Sequence, residues 1–233
     1  MILAYSVCWY LFPSFSLIIF IIISAYHLGQ SNLYYLTLPK KRLAKTLIYV
    51  FWGLFVIFGP IISNPKEVIA VLKNILGIDW IVNIENKEYL LALIIIFNLI
   101  IISALFILKY ATQKELLRET LNLSLLTLLF YTAPLMVSFG VYFGLWHSLG
   151  SAFDQIQFIK KYDLKFNFKD FYLKSIPLSI ISLIIFTLAY LFLVHFNNKF
   201  PQETLNSIIG LFFISLAVIT LPHTIIRDKL YSR

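Results

Sequence analysis

The sequence predicts an all-α fold, a polytopic integral membrane helical bundle of about six to seven hydrophobic segments forming one membrane-embedded domain, residues 1–233. Three observations predict it. Hydrophobic residues make up 60% of the chain and charged residues only 13%, with a mean hydropathy of +0.86; a soluble domain uses about 25% charged residues to cover its surface. Apolar stretches recur at lengths that cross about 30 Å of hydrocarbon. The charges fall between these stretches. Backbone polar groups in lipid must be satisfied within their own segment, so long runs of Leu, Ile and Phe are helices. Soluble enzymes, disordered tails and disulfide-rich secreted scaffolds are excluded. The single cysteine, Cys8, has no intrachain partner. The net charge of +8 points to basic loops facing the lipid bilayer and not to nucleic acid. The expected location is the cell (inner or plasma) membrane, crossed several times.

The first segment, Ile2–His27, has no basic start and exceeds the core of about 7–15 residues found in a signal peptide, so it is a membrane helix. The missing basic start points to a natural N-terminus further upstream. Leu47–Ser63 and Tyr89–Leu108 are the next spans. Between them Val68–Ile84, carrying Lys73, Asn74 and Asp79, is expected to lie in the interface. Leu121–Leu149 is expected to fold back around Ala133-Pro134 as two short limbs. The fold-back puts Lys40, Lys41, Arg42 and Lys45 on the same side as Lys109, Lys114 and Arg118. The lysines at 160, 161, 165, 169 and 174, and the tail of Arg227, Lys229 and Arg233, join them there, as the positive-inside rule requires. A crossing by Val68–Ile84 would also repair the charge balance. Ile176–Val194 and Leu205–Pro222 complete the bundle.

With the fold-back, three spans end on one face and carry His27, His147 and His223 to one membrane level. His195, followed by Phe196, Asn197, Asn198 and Lys199, faces the other way and is read as an interfacial ring with no assigned role. Ionisable groups at span edges are costly and mark functional sites, although for any single histidine a ring bonded near the headgroups is the commoner case. Neutral imidazole is a good ligand for Fe(II) or Zn. The nearby acids, Asp154 and Asp228, are expected in flanking loops.

Each of the three histidines has a distinctive setting. They are Ser24-Ala25-Tyr26-His27-Leu28-Gly29-Gln30-Ser31-Asn32, Tyr142-Phe143-Gly144-Leu145-Trp146-His147-Ser148-Leu149 and Leu221-Pro222-His223-Thr224. These stretches resemble the Brp/Blh family, the bacteriorhodopsin-related membrane β-carotene 15,15′-dioxygenases. The family pattern Ser-x-x-His-Phe-Gly-Glu-x-Asp falls on Ser24, His27, Gly29, Gln30 and Asn32. Trp-His-Ser-x-x-His falls on Trp146, His147, Ser148 and Ser151, and Pro-His on Pro222 and His223. The resemblance implies Fe(2+) held by histidines, with O₂ cleaving the central double bond of β-carotene or a related carotenoid to give retinal. It also implies a functional link to a microbial rhodopsin. Two implied metal ligands fall on His27 and His147, with His223 as a further candidate; no catalytic residue is assigned.

The chain departs from the pattern. Ser151 stands where the family has a histidine, Gln30 and Asn32 where it has acids, and Leu28 where it has Phe. A family stretch Pro-His-Gly-x-x-Asp-His does not occur. These departures support a second reading, a non-catalytic carotenoid- or retinal-binding membrane protein derived from the enzyme.

Aromatic residues reach 17%, with 22 Phe and 14 Tyr; they suit a polyene, and equally a lipid-facing surface with interface belts. Pro134, Gly140 and Gly144 either open the backbone beside His147 or allow close helix packing. The lysine cluster between 160 and 174 is a solvated face. No lysine lies deep in a span, as an opsin would need, and no clustered acids, phosphate-binding loop or internal duplication appears.

Overall fold

The computed structural model describes residues 2–76, 86–196, 212, 215–218, 220, 223–225 and 227. Its helices are α1 (Ile2–Leu11), α2 (Pro13–Leu33), α3 (Arg42–Ser63), α4 (Pro65–Leu76), α5 (Lys87–Ile107), α6 (Gln113–Thr132), α7 (Leu135–Val141), α8 (Ser148–Lys160) and α9 (Phe168–Phe196). A π-helical turn, Tyr142–His147, joins α7 to α8. No strand occurs among the described residues. Asp79, Glu85, Lys199, Pro222, Asp228, Lys229 and Arg233, most of Leu205–Pro222, and Val68–Ile84 beyond Leu76 lie outside the described residues.

Among the described residues, four helices are long and apolar enough to cross a membrane: α2, α3, α5 and the Phe168–Leu188 part of α9. The expected six to seven segments are therefore not all matched by helices of that kind. The first expected span is broken at Phe12, because Pro13 lacks an N–H and opens a new helix at its first position. α6 begins with charged turns. Leu135–Lys160 is divided into short pieces by the π-helical turn.

Leu121–Leu149 does reverse at Ala133-Pro134. Ala133 is extended (φ −99°, ψ 147°), as a residue before proline prefers, and Pro134 starts the return. The turn sits at the far end of α3, where Asn64 Nδ2 donates to Ala133 O (3.4 Å) and Leu135 N donates to Glu67 Oε2 (3.0 Å). The limbs are longer than expected: α6 alone has 20 residues, about the length of a full span. At the other end a capping box closes α6. Thr112 Oγ1 accepts from Glu115 N, and Glu115 Oε2 accepts from Thr112 N. These bonds hold the Glu115 carboxyl below the usual carboxylate range.

α2 and α3 are antiparallel and touch through glycine. A Cβ on Gly29 would stand 1.8 Å from Tyr49 O, and one on Gly53 would stand 1.8 Å from Ala25 O. The backbones meet because neither position carries a side chain. Around this contact pack Leu28, Trp52, Phe55, Leu126 and Phe130, which form the core with Tyr142. α9 differs: most of its described apolar residues are exposed, and its spanning window, Phe168–Leu188, buries nothing inside the chain. A helix apolar all round needs an apolar neighbour.

Candidate metal centre

The helix directions decide where the histidines meet. α2 runs toward the end of the bundle where α3 begins. The return limb after Pro134 runs the same way, and its π-helical turn ends on His147. Such turns insert one residue into a helix and re-aim the side chains that follow. The rings of His27 and His147 are 5.4 Å apart between centroids, and those of His27 and His223 are 4.9 Å apart. One ring nitrogen from each of the three lies within 4.8 Å of the others. His195 is exposed at the opposite end of α9 from Phe171, which lines the cavity beside the cluster.

His27 is the most informative of the three. It is 2% exposed, and both of its ring nitrogens are buried without a hydrogen-bond partner. Two orphaned nitrogens on one imidazole are costly in an apolar interior, and a ligand atom or ion in the cluster would remove that cost. First-row metals sit about 2 Å from an imidazole nitrogen, so small side-chain rotations would close this set around one ion. The donors are neutral imidazoles, a set that suits Fe(II) and Zn(II).

The charges beside the cluster correct one expectation. Asp154 is not in a flanking loop. It lies in α8, where Arg227 Nη2 contacts its Oδ2 at 3.1 Å, with both side chains buried. Arg227 Nη1 also donates to Ser151 O (3.4 Å). Burial, with the hydrogen bond to Asp154 acting the same way, pushes the Tyr34 hydroxyl up to about 12. Tyr34 therefore stays protonated. The Asp154 carboxylate neutralises Arg227, a cation that would otherwise oppose a metal ion at the histidines.

A second buried carboxyl, Glu119, had no signal in the sequence. It is 0% exposed and receives hydrogen bonds from Asn32 Nδ2 (3.0 Å), Trp52 Nε1 (2.8 Å), Asn122 Nδ2 (2.8 Å) and the Tyr35 hydroxyl. The Arg118 guanidinium lies over the Tyr35 ring, 4.1 Å from its centroid. The amide at Asn32 is a donor that a carboxylate at 119 can use, so an acid reaches this point from α6.

Two mainly apolar cavities lie to one side of the cluster, and only the first is lined by histidines. One, about 440 Å³, is lined by all three histidines together with Ser24, Ser151 and Phe171 among others. The other, about 210 Å³, runs between α1, α2, α3 and α4 and is almost wholly apolar. They share Phe20, Ser24, Leu28, Phe143 and Leu216. A third cavity, about 410 Å³ and rich in amides and hydroxyls, reaches His147 from the other side, past Asn32, Tyr34, Asn122 and Trp146. A Cβ added at Gly140 or Gly144 would meet nothing within 4 Å, so among the described residues these glycines do not mediate close helix contact.

Set against known families, residues 1–231 match the model of the family described as beta-carotene 15,15'-dioxygenase. The chain belongs to that family. No curated protein and no solved structure matches it significantly. Within this β-carotene dioxygenase family member, Ser151 lies one turn beyond His147 and lines the histidine cavity, with its hydroxyl accepting from Gln155 Nε2 (3.3 Å). Gln30 Nε2 donates to the Tyr26 hydroxyl (3.3 Å).

Proposed function

We propose that this chain is a multi-pass membrane enzyme that cleaves the central double bond of β-carotene or a related carotenoid with O₂, giving retinal, with Fe(2+) held by His27, His147 and His223. The observation that carries the reading is the orphaned His27 ring, packed against two further histidines beside a mainly apolar cavity that all three line. The bound iron would supply the activation of O₂. The three imidazoles would hold it while leaving positions open. The apolar cavities would orient the polyene with its central bond at the histidines and keep water from it. Ser24, one turn before His27, lines both apolar cavities and is 5% exposed, with a buried hydroxyl that has no partner. Its O–H would donate to the carbonyl oxygen of the aldehyde as it forms. Both atoms of O₂ end in the two aldehydes.

The test is co-expression in a bacterial host that accumulates β-carotene. Loss of orange colour with appearance of retinal is expected. Persistent colour with well-expressed, folded protein would sink the reading.

A second reading, a non-catalytic carotenoid- or retinal-binding protein, is favoured by Ser151 at a position where a fourth imidazole would fit. It expects a bound polyene without stoichiometric iron. Ser151→His tests the point directly. Positions 147 and 151 share a helix face, so a second imidazole there is expected to tighten iron binding on the order of tenfold, about 1.4 kcal/mol. Iron retained after chelator dialysis measures it. Unchanged retention in folded protein would mean that no metal sits against that face.

A further inference from the structure

Of the three histidines, only His147 lines both the mainly apolar cavity and the polar one, and among the described residues no other side chain lines both. The polar cavity lies at the end of the bundle where α2 finishes and α6 begins. Ser31 and Asn32 come from the last turn of α2, and Tyr34 caps it. Arg118 and Asn122 come from α6, and Gly150 and Asp154 from α8. Tyr34, Arg118, Gly150 and Gln157 are exposed, so the cavity has an open mouth. Its buried part is formed by Tyr142, whose ring stacks on that of His147 with centroids 6.3 Å apart and planes 23° apart.

The two cavities suit different molecules. A divalent ion arrives from water with its hydration shell, and burying it without polar partners is prohibitive. The mainly apolar cavity offers such an ion only scattered hydroxyls and the Gln155 amide along a wall that is otherwise largely hydrocarbon and rings. The polar cavity offers oxygens of Ser31, Asn32, Tyr34, Asn122, Asp154 and Gln157. Oxygens along a passage replace waters of hydration, which keeps the cost of entry low. Glu119 sets two of these groups. The amide nitrogens of Asn32 and Asn122 both donate to its carboxyl (3.0 and 2.8 Å), so their carbonyl oxygens are the groups left for an ion. Size agrees. An ion with six waters takes roughly 200 Å³, at about 30 Å³ per water, and the cavity holds about 410 Å³. Charge agrees as well. Arg227 contacts Asp154 at 3.1 Å, and Arg118 lies over the Tyr35 ring, whose hydroxyl donates to Glu119, so each guanidinium has a carboxyl group nearby.

We propose that the polar cavity is the entry route of the metal: hydrated Fe(2+) passes Asn32, Asn122 and Asp154, is caught first by His147, and leaves the mainly apolar cavity to the polyene. This inference rests on the metal reading given above. His147, shared by the two cavities, brings the ion to His27, which is 2% exposed and does not line the polar cavity. Glu119 serves the route as a positioning residue, by holding both amides with their oxygens available.

The test adds bulk to the protein after it has folded. Cys8, the single native cysteine, is replaced by serine, and Gly150→Cys or Gly144→Cys is introduced. Both glycines are exposed, and a Cβ at either meets nothing within 4 Å; Gly150 lines the polar cavity, and Gly144 lines none of the three. Each metal-free full-chain variant, in lipid nanodiscs, is labelled with a bulky methanethiosulfonate. Anaerobic Fe(2+) uptake is then quenched with chelator at timed intervals and read as iron per chain, with no need for turnover. The label on Gly150→Cys is expected to slow uptake on the order of tenfold, equivalent to about 1.4 kcal/mol on the entry barrier, without changing the iron bound at equilibrium. The same label on Gly144→Cys is expected to leave the rate within about twofold. Reductive removal of the label from Gly150→Cys, before metal is added, is expected to restore the fast rate. Uptake that the Gly150→Cys label does not slow, that the Gly144→Cys label slows equally, or that removal of the label does not restore overturns the route and leaves the metal centre standing. A folded Cys8→Ser parent that takes up no iron overturns both.

Discussion

His147→Ala is expected to abolish iron retention and retinal formation together. Loss of an outer partner of a metal ligand already costs about 10–100-fold in affinity or activity, and His147 is itself one of only three clustered imidazoles. Removing it leaves His27 and His223, too few to hold a divalent ion tightly, and widens the space where the cavities meet. Folding should survive, because His147 is only partly buried and its neighbours Tyr142 and Phe143 remain. His195→Ala is the control, expected to change neither iron content nor product. Full iron and full activity in matched, folded His147→Ala protein would put the metal elsewhere.

Gly53→Ala is expected to be among the most damaging changes to the fold. The added methyl would lie 1.8 Å from Ala25 O, a backbone atom that cannot swing aside. Overpacking costs about 1–3 kcal/mol where side chains can yield, and a backbone clash belongs at or above the upper end. α2 would have to move as a body. His27 lies two residues beyond Ala25, so the histidine cluster should open as well. Thermal unfolding of the detergent-solubilised protein checks the first effect and iron content the second. A variant with unchanged melting and unchanged iron would show that the glycine contact does not set the position of α2.

The all-helical architecture was legible because so apolar a chain has few other options. The reversal at Ala133-Pro134 was legible from the loop charges alone, which balance with an extra reversal there. The meeting of His27, His147 and His223 follows from that reversal. Other features were hidden for a physical reason. Glu119 is held by donors from the end of α2, from α3 and from its own helix, and no local pattern announces a partner set drawn from distant segments. Arg227 was counted with the charged tail but is buried against Asp154, since only the folded helix ends bring those two together. The break before α2 had a local signal, Pro13, which the length of the surrounding apolar run masked. The π-helical turn before His147 has no residue pattern that would have located it.

The central claim is that one metal ion sits on three histidines. Iron analysis of the purified full chain, loaded anaerobically with Fe(2+) and then dialysed, tests it most directly. The expected result is about one iron per chain, lost when His27, His147 and His223 are each replaced by alanine in separate, folded variants. Protein that keeps no iron while still releasing retinal, or iron that persists in all three variants, would contradict the account.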